Sequence, residues 1–302
     1  MQRRTFLKST TLCAVAVSAS GFVRFEGNRY VGDCETTTDI LGPFYRPDSP
    51  MQNNLIIPGD QGTPVELSGI IKHNDCKTPY NNAKIELWHC DVKGVYDNTS
   101  DKFRYRGTTY CNEKGEYSFK TILPVPYDIG GGDFRPAHFH LMITAEKYQS
   151  LVTQLYFTGD QYIAKDESSS SPSAKRRILE VQTLKDGTKK VSYDVSMSET
   201  LIVAPAVLTR LTGVYINAKE KNNKNEFFVK DKLLWMKNER MDMPFGMNLD
   251  YVGNNTFRLP GLHDGMSYDF HFELLSSASV KLTTTFTNAK GEKDVSIAIK
   301  EV

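Results

Sequence analysis

Two histidines, His138 and His140, stand at positions i and i+2, directly before the apolar residues 141–143. Alternate side chains of a β-strand point to the same face, so a strand here would aim both imidazoles in one direction. A helix would separate them by about half a turn, and the apolar, β-prone run that follows favours the strand. Two imidazoles on one face supply half of a metal site, although an isolated His-x-His pair is more often structural.

The other half of such a site has to come from elsewhere in the chain. Acidic residues are scarce near the pair, whereas Tyr96 and Tyr127 are flanked by turn residues in predicted loops that follow strands. Loops at the end of a β-sandwich commonly carry functional groups. A tyrosine phenolate is a hard anionic oxygen donor, which suits Fe(III) better than Zn(II) or Cu(I). A zinc site would need tyrosine in place of its usual Cys, His or carboxylate ligands.

The elements that position these residues are predicted to be short strands. Turns rich in glycine, proline and asparagine interrupt the chain at close intervals, and Tyr (15) and Phe (16) are abundant. This composition and spacing predict an all-β protein. A length of 302 residues suits two domains. We predict a β-sandwich catalytic domain over residues 24–200 and a small antiparallel β-barrel-like domain over residues 201–302, with a linker at 199–205.

Charge and the N-terminal segment restrict the class of partner. Lys+Arg (37) and Asp+Glu (36) nearly balance, and the absence of a basic block argues against nucleic acid as a partner. The pattern R-R-x-F-L-K at residues 3–8 and the apolar stretch after it are typical of a twin-arginine export signal, predicted over residues 1–23. The stretch is too short for a stable membrane span. We expect a periplasmic or extracellular protein; the alternative is an amphipathic N-terminal segment of a cytosolic one.

Four cysteines follow the predicted signal: Cys34, Cys76, Cys90 and Cys111. An even number in an exported protein permits disulfides, and four cysteines allow three pairings. The alternative is that they are free buried thiols. We predict at least one bridge, with Cys34 to Cys76 as the first choice.

Five short motifs follow one another between residues 38 and 160. They are T-D-I-L-G-P-F-Y (38–45), L-W-H-C-D-x-x-G-x-Y (87–96), G-x-Y-x-F-x-T-I-x-P-x-P-Y (115–127), F-R-P-A-H-F-H (134–140) and T-Q-L-Y-F-x-G-D (153–160). With them, residues 36 to about 200 resemble the intradiol ring-cleavage dioxygenases, the catechol and protocatechuate 3,4-dioxygenase class. The W-H-C-D sequence at residues 88–91 resembles that of the exported branch of the family. Residues 211–302 resemble the lipocalin-like domain that is appended to many bacterial exported enzymes.

The resemblance implies a role for each candidate residue. The ferric ligands would be Tyr96, Tyr127, His138 and His140. Tyr127 would leave the metal when the substrate chelates it and would accept a substrate proton. Arg135 would stabilise negative charge on the bound substrate, and Gln154 would orient the oxygenated intermediate. The alternative for Arg135 and Gln154 is a structural hydrogen bond.

The implied activity is that of a non-haem Fe(III) dioxygenase. It would insert both atoms of O2 into a catecholic small molecule and give a cis,cis-muconate-type diacid, as part of aromatic catabolism. Catechol dioxygenases carry a long helical dimerisation segment before the G-P-F-Y motif, whereas only a short arm follows the signal here. This argues against the dimer of that subtype and leaves other homo-oligomers open. Ile129 stands where family members often carry an aromatic residue, which leaves the preferred catechol open. The alternative function is a non-catalytic β-sandwich binding or carrier protein.

Overall fold

The computed structural model describes residues 36–198, 203–238, 243–276 and 279–300, together with the backbone of three short strands further towards the N-terminus. These strands are β1 (Val17–Ser18), β2 (Gly21–Glu26) and β3 (Arg29–Gly32), and they form an antiparallel sheet. Most of the predicted signal segment lies outside the described residues. Its role in export stays a prediction.

The central part of the chain folds into two large sheets and a small two-stranded sheet. Its elements are β4 (Pro64–Lys72), β5 (Lys84–Trp88), β6 (Arg106–Tyr110), β7 (Glu116–Ile122), β8 (Tyr127–Gly130), β9 (Asp133–Arg135), β10 (His138–Thr144), β11 (Leu151–Phe157), the 3-10 helix Pro172–Arg177, β12 (Ile178–Leu179), β13 (Gln182–Thr183), β14 (Lys189–Ser192) and β15 (Val195–Ser196). One sheet has the order β12-β11-β10-β5-β6. The other has the order β13-β14-β4-β15, with β7 also paired to β4.

The two sheets pack face to face around one apolar core, which is the predicted sandwich. Leu67 and Phe119 from one sheet and Ile85, Phe139 and Leu141 from the other are all almost completely buried in the same cluster. The alternation of side chains along β10 explains this packing, because residues at odd positions enter the core and those at even positions point away from it. The histidine pair therefore lies on the outer face of this sheet.

The C-terminal part of the chain forms a single nine-stranded antiparallel sheet. A short helix, α1 (Pro205–Leu211), precedes it and begins at a proline, which favours the first helical turn. The strands are β16 (Gly213–Asn217), β17 (Lys224–Lys230), β18 (Leu233–Asn238), β19 (Met243–Asn248), β20 (Asp250–Gly253), β21 (Thr256–Arg258), β22 (Ser267–Leu274), β23 (Val280–Thr287) and β24 (Lys293–Lys300). Their order is β19-β18-β17-β16-β24-β23-β22-β21-β20.

This sheet curls into a nearly closed barrel that is filled by aromatic side chains. Tyr215, Phe227, Phe270 and Phe272 are buried and meet edge to face, with ring centroids between 5.1 and 5.6 Å apart. Edge-to-face contacts of this kind are favourable because the positive edge of one ring meets the negative face of the next. The all-β prediction is confirmed in its main outline. The exact domain boundaries stay predictions.

Two local predictions need comment. Tyr127 does not lie in a loop, because it begins β8, which pairs with β9 to make a small hairpin. The predicted linker 199–205 lies partly outside the described residues, and Pro205 already belongs to α1. None of the described helices is long and apolar enough to cross a membrane.

The described cysteines differ in their bonding. Cys76 is disulfide-bonded, whereas Cys90 and Cys111 are free and buried. Burial raises the pKa of Cys90 to about 11 and raises the pKa of Cys111 as well. The predicted partner Cys34 lies outside the described residues, so the Cys34–Cys76 pairing stays a prediction.

We predict that alkylation followed by peptide mass spectrometry will separate these thiols. Cys90 and Cys111 should stay unmodified in the native protein, because they are buried and protonated at neutral pH, and should react once the chain is unfolded. Cys76 should react only after unfolding and reduction. Labelling of Cys76 in unfolded, unreduced protein would contradict the disulfide.

Candidate metal centre

The two histidines of β10 meet on its outer face, as their spacing predicts. Their Nε2 atoms lie 3.1 Å apart. The Nδ1 atom of His138 is 2.6 Å from the Pro136 carbonyl oxygen, which fixes the tautomer that leaves a lone pair on Nε2. Trp88 of the neighbouring strand stacks on the His140 ring, with centroids 4.9 Å apart and planes 9° apart. The two rings are therefore held in place by one strand, one carbonyl and one indole.

Burial keeps both imidazoles neutral. It lowers the pKa of His138 to about 3, and the nearby Arg135 guanidinium acts in the same direction. Burial also lowers the pKa of His140 well below its ordinary value, with the charge of His138 as the next cause. Since neutral imidazole is the form that binds metals, both side chains are in the ligating state at neutral pH.

Tyr96 enters the same space from the turn after β5. Its hydroxyl lies 3.3 Å from His138 Nε2 and 3.1 Å from His140 Nε2. The Asp91 carboxylate shapes the turn by accepting the amides of Lys93 and Val95 at 2.8 and 3.0 Å. The turn thus points the buried Tyr96 side chain at the two imidazoles.

Tyr127 completes the group from the hairpin of β8 and β9. Its ring centroid lies 5.6 Å from that of Tyr96 and 5.7 Å from that of His138. Tyr127 pairs in register with Arg135 across the hairpin. Gly94 approaches it closely from the Tyr96 turn: with φ at +76°, a Cβ there would lie 2.6 Å from Tyr127 Cβ. Gly94 lies on the same turn as Tyr96 and packs against Tyr127, so it links the positions of the two tyrosines.

The donor atoms of these side chains fit a single metal ion. Ligand atoms that each lie about 2.0–2.1 Å from one ion are roughly 3 Å apart at ordinary ligand angles, and the three distances among Tyr96, His138 and His140 have this size. Two close imidazole nitrogens with lone pairs repel unless a cation or a proton lies between them. His140 Nδ1 is buried and has no hydrogen-bond partner among the described residues.

The phenols decide which ion fits best. Burial raises the pKa of Tyr96 well above its ordinary value. Burial also raises the pKa of Tyr127, although Arg135 opposes the rise. A strongly charged, hard cation is what converts such phenols into phenolate ligands. The described residues contain no group of three or more His, Cys, Asp or Glu side chains that could hold a metal. A metal here would therefore need the tyrosines as ligands, and Fe(III) binds phenolates well.

Arg135 and Gln154 lie beside this centre and contact each other. Arg135 Nη2 donates to Gln154 Oε1 at 2.7 Å and to the Tyr156 hydroxyl at 3.3 Å. The Nε atom of Arg135 is 2.5 Å from Asp166 Oδ2. Gln154 Nε2 donates to the Ile40 carbonyl at 2.7 Å. The amide of Gln154 is therefore engaged at both ends, which matches the structural hydrogen bond considered as the alternative to its catalytic role.

Sequence reasoning missed the charged groups behind Arg135. Asp39 accepts a hydrogen bond from Tyr156 at 2.8 Å and forms a buried ion pair with Arg177. The interior beside the centre thus holds two buried ion pairs, Arg135 with Asp166 and Arg177 with Asp39. Tyr156 and Asp39 stand in the quoted motifs, but Asp166 and Arg177 carry no local signal, because only the tertiary fold brings them to the site.

The comparisons with known proteins agree with this site. The sequence profile of the family described as "Dioxygenase" matches residues 40–199, a little over half of the chain. The chain belongs to this dioxygenase family. The predicted resemblance is thereby confirmed for the region that contains all six candidate residues, while the exported branch and the lipocalin-like likeness stay untested.

Individual relatives match the same region. A chlorocatechol 1,2-dioxygenase of Rhodococcus opacus is 33% identical over 161 residues, which cover 46% of this chain and 62% of that protein. A catechol 1,2-dioxygenase of Candida albicans is 33% identical over 141 residues, which cover 40% and 46%. The chain thus spans about half to three fifths of the length of these relatives.

A solved structure supports the fold alone. The crystal structure of 3-chlorocatechol 1,2-dioxygenase from Rhodococcus opacus 1CP aligns with a TM-score of 0.50 and 22% identity. The alignment covers 55% of this chain and 73% of that one. The β-sandwich of the family is therefore present in this chain.

We predict that Gly94→Ala will weaken binding of Fe(III), by about tenfold or more. The added methyl strains a residue at positive φ and pushes directly against Tyr127. The matched control is Gly131→Ala, which has φ at +71° but has nothing within 4 Å of its new Cβ. Ferric ion retained per chain after dialysis, measured with thermal unfolding, separates the two effects. Equal retention in both variants would contradict the role assigned to Gly94.

Proposed function

We propose that this dioxygenase is a non-haem Fe(III) enzyme that performs intradiol cleavage of a catecholic ring. Tyr96, Tyr127, His138 and His140 would hold the iron. The observation that carries the proposal is the convergence of two phenols and two neutral imidazoles in one buried centre. Intradiol dioxygenases of this family use non-haem iron, and the relatives above are named for catechols. The product would be a cis,cis-muconate-type diacid.

A bound Fe(III) would supply Lewis acidity that makes the two catechol hydroxyls acidic and the ring reactive towards O2. The protein supplies the proton acceptor and the fixed charge. Tyr127 is less buried than Tyr96, so it is the phenol that can move aside and take a substrate proton. Tyr96 is held by Phe44, which stacks on it with ring centroids 4.2 Å apart. This difference in packing supports Tyr96 as the retained ligand.

Arg135 would stabilise the negative charge that the substrate gains. Its guanidinium is always protonated, is only 8% exposed and is already oriented by Gln154 and Asp166. A fixed charge in a site with little water acts strongly on a developing anion, because it needs no reorganisation. Asp166 offsets the cost of burying the guanidinium.

We also propose that the protein is exported by the twin-arginine route and that residues 201–302 form a lipocalin-like domain. The N-terminal pattern at residues 3–8 supports export. The disulfide at Cys76 is compatible with an oxidising compartment. The nearly closed nine-stranded sheet supports the comparison with small β-barrels.

Oxygen consumption by the iron-loaded protein tests the function. With catechol, protocatechuate and hydroxyquinol as a panel, we predict uptake of one O2 for each ring opened with at least one of them. The ultraviolet spectrum of the product distinguishes intradiol from extradiol cleavage. Binding of catechols without oxygen uptake would instead support the carrier alternative, and an extradiol product would overturn the proposal.

We predict that Tyr127→Phe will fold normally but turn over catechol at least tenfold more slowly, because it loses both a ligand and a proton acceptor. The visible absorption of the ferric protein should also change, since one phenolate-to-iron charge-transfer source is gone. Tyr110→Phe is the matched control, because Tyr110 is 46% exposed on β6. If the kinetics and spectrum of the Tyr127 variant equal those of the control, Tyr127 is not a ligand.

A further inference from the structure

An extended arm, residues 36–50, runs between the sandwich and the nine-stranded sheet. On the sandwich side, the amide of Asp39 donates to the Val152 carbonyl of β11 at 2.8 Å. On the other side, the amide of Leu41 donates to the Gly261 carbonyl at 3.1 Å. Gly261 lies in the loop 259–266, which joins β21 to β22. The arm is thus bonded to both parts of the molecule within three residues.

The same arm covers the candidate metal centre. Phe44 stacks on Tyr96, and Tyr45 packs against Trp88, the indole that stacks on His140, with ring centroids 5.1 Å apart. Gly42 has φ at +73°, and a Cβ there would lie 3.3 Å from His140 Cε1. Each of these contacts fixes a side chain that surrounds the centre.

The arm also holds Gln154. The carbonyl of Ile40, directly before Leu41, accepts the Gln154 amide. Gln154 in turn accepts from Arg135. A displacement of Leu41 would therefore move the anchor of the pair that lies beside the centre.

The loop 259–266 leaves the arm almost no room. Gly261 has φ at +77°, and a Cβ there would lie 3.1 Å from both Leu41 N and Val152 Cγ1. In the same loop, His263 Nδ1 lies 3.3 Å from Ser168 Oγ. Ser168 belongs to the buried segment that also carries Asp166, the partner of Arg135.

A second contact between the arm and the nine-stranded sheet is weaker. Lys230 Nζ lies 2.5 Å from Asp48 Oδ1, but the two side chains are 31% and 73% exposed. Water and salt screen an ion pair this exposed, so it contributes little. Of these two contacts with the nine-stranded sheet, the close backbone contact at Gly261 is therefore the firmer one.

We propose that Gly261, in the loop 259–266, is a positioning residue of the metal centre and acts through the arm. The nine-stranded sheet would then help to position the residues of the metal centre. This inference rests on the proposed dioxygenase function, since the arm is taken to position residues of that reaction. Gly261 does not contact the centre itself, so its effect is transmitted by Leu41, Ile40 and the aromatic residues beyond them.

The test compares Gly261→Ala with Gly265→Ala in the full-length, iron-loaded protein. Gly265 lies in the same loop with φ at +79°, but a Cβ there would meet Ala289 at an ordinary 3.7 Å. Both variants therefore carry similar backbone strain, and only Gly261→Ala pushes on the arm. We expect Gly261→Ala to lower the turnover number about tenfold per iron-loaded chain, with a smaller change in KM. Gly265→Ala should keep the wild-type turnover number.

Amide hydrogen exchange provides a readout that does not require activity. In Gly261→Ala, loss of protection should be confined to residues 39–45 and the loop, in iron-free as well as iron-loaded protein. In the wild-type chain, the Leu41 amide should exchange as slowly as that of Leu259, the first residue of the loop, which donates to the Tyr268 carbonyl of β22. This measurement on the wild-type chain tests the inference even if Gly261→Ala does not fold.

The outcomes separate this inference from the proposed function. Equal turnover of the two variants and unchanged exchange at residues 39–45 would overturn the positioning role. A Leu41 amide that exchanges much faster than that of Leu259 would also overturn it. A wild-type protein that takes up no oxygen with any catechol would refute the proposed function, whereas the exchange data would still decide whether the loop positions the arm.

Discussion

The close approach of two neutral imidazoles in a buried space is the constraint on which the rest of this structure depends. His138 and His140 place their Nε2 atoms 3.1 Å apart, where only a shared proton or a cation relieves the repulsion between their lone pairs. Burial also keeps the neighbouring phenols protonated until a strong cation is present. This arrangement supports the proposed metal site, because hard oxygen donors favour a ferric ion.

Such a site requires a strand that is buried on both faces. The core-facing side chains of β10 form the centre of the sandwich, whereas its outer face is covered by the arm, the hairpin and the nine-stranded sheet. Exclusion of water from that outer face strengthens every electrostatic interaction there. The same burial makes an uncompensated charge costly, which explains why Arg135 is accompanied by Asp166 and why Arg177 is paired with Asp39.

The structure distributes the candidate residues over elements of different rigidity. The histidines come from a central strand, Tyr96 comes from a turn closed by Asp91, and Tyr127 comes from a small hairpin whose tip contains three glycines at positive φ. Tyr127 thus lies on the least constrained of these elements, which supports its proposed role as the phenol that moves aside. The packing of Phe44 on Tyr96, on the other hand, suits a ligand that stays bound.

The sequence by itself determined the family and the strand that carries His138 and His140, and it named Tyr96 and Tyr127 as candidate ligands, because these depend on local periodicity and on motifs of fixed spacing. It placed Tyr127 in a loop, since a three-residue strand such as β9 leaves too short a pattern to recognise. It also missed α1 and the buried segment around Asp166, because burial of polar residues depends on partners that are distant in the chain. Only the tertiary structure decided that the arm lies between two sheets and that Gly261 meets Leu41 there. Contacts across more than 200 residues leave no periodic trace in the sequence, because each depends on the packing of whole sheets.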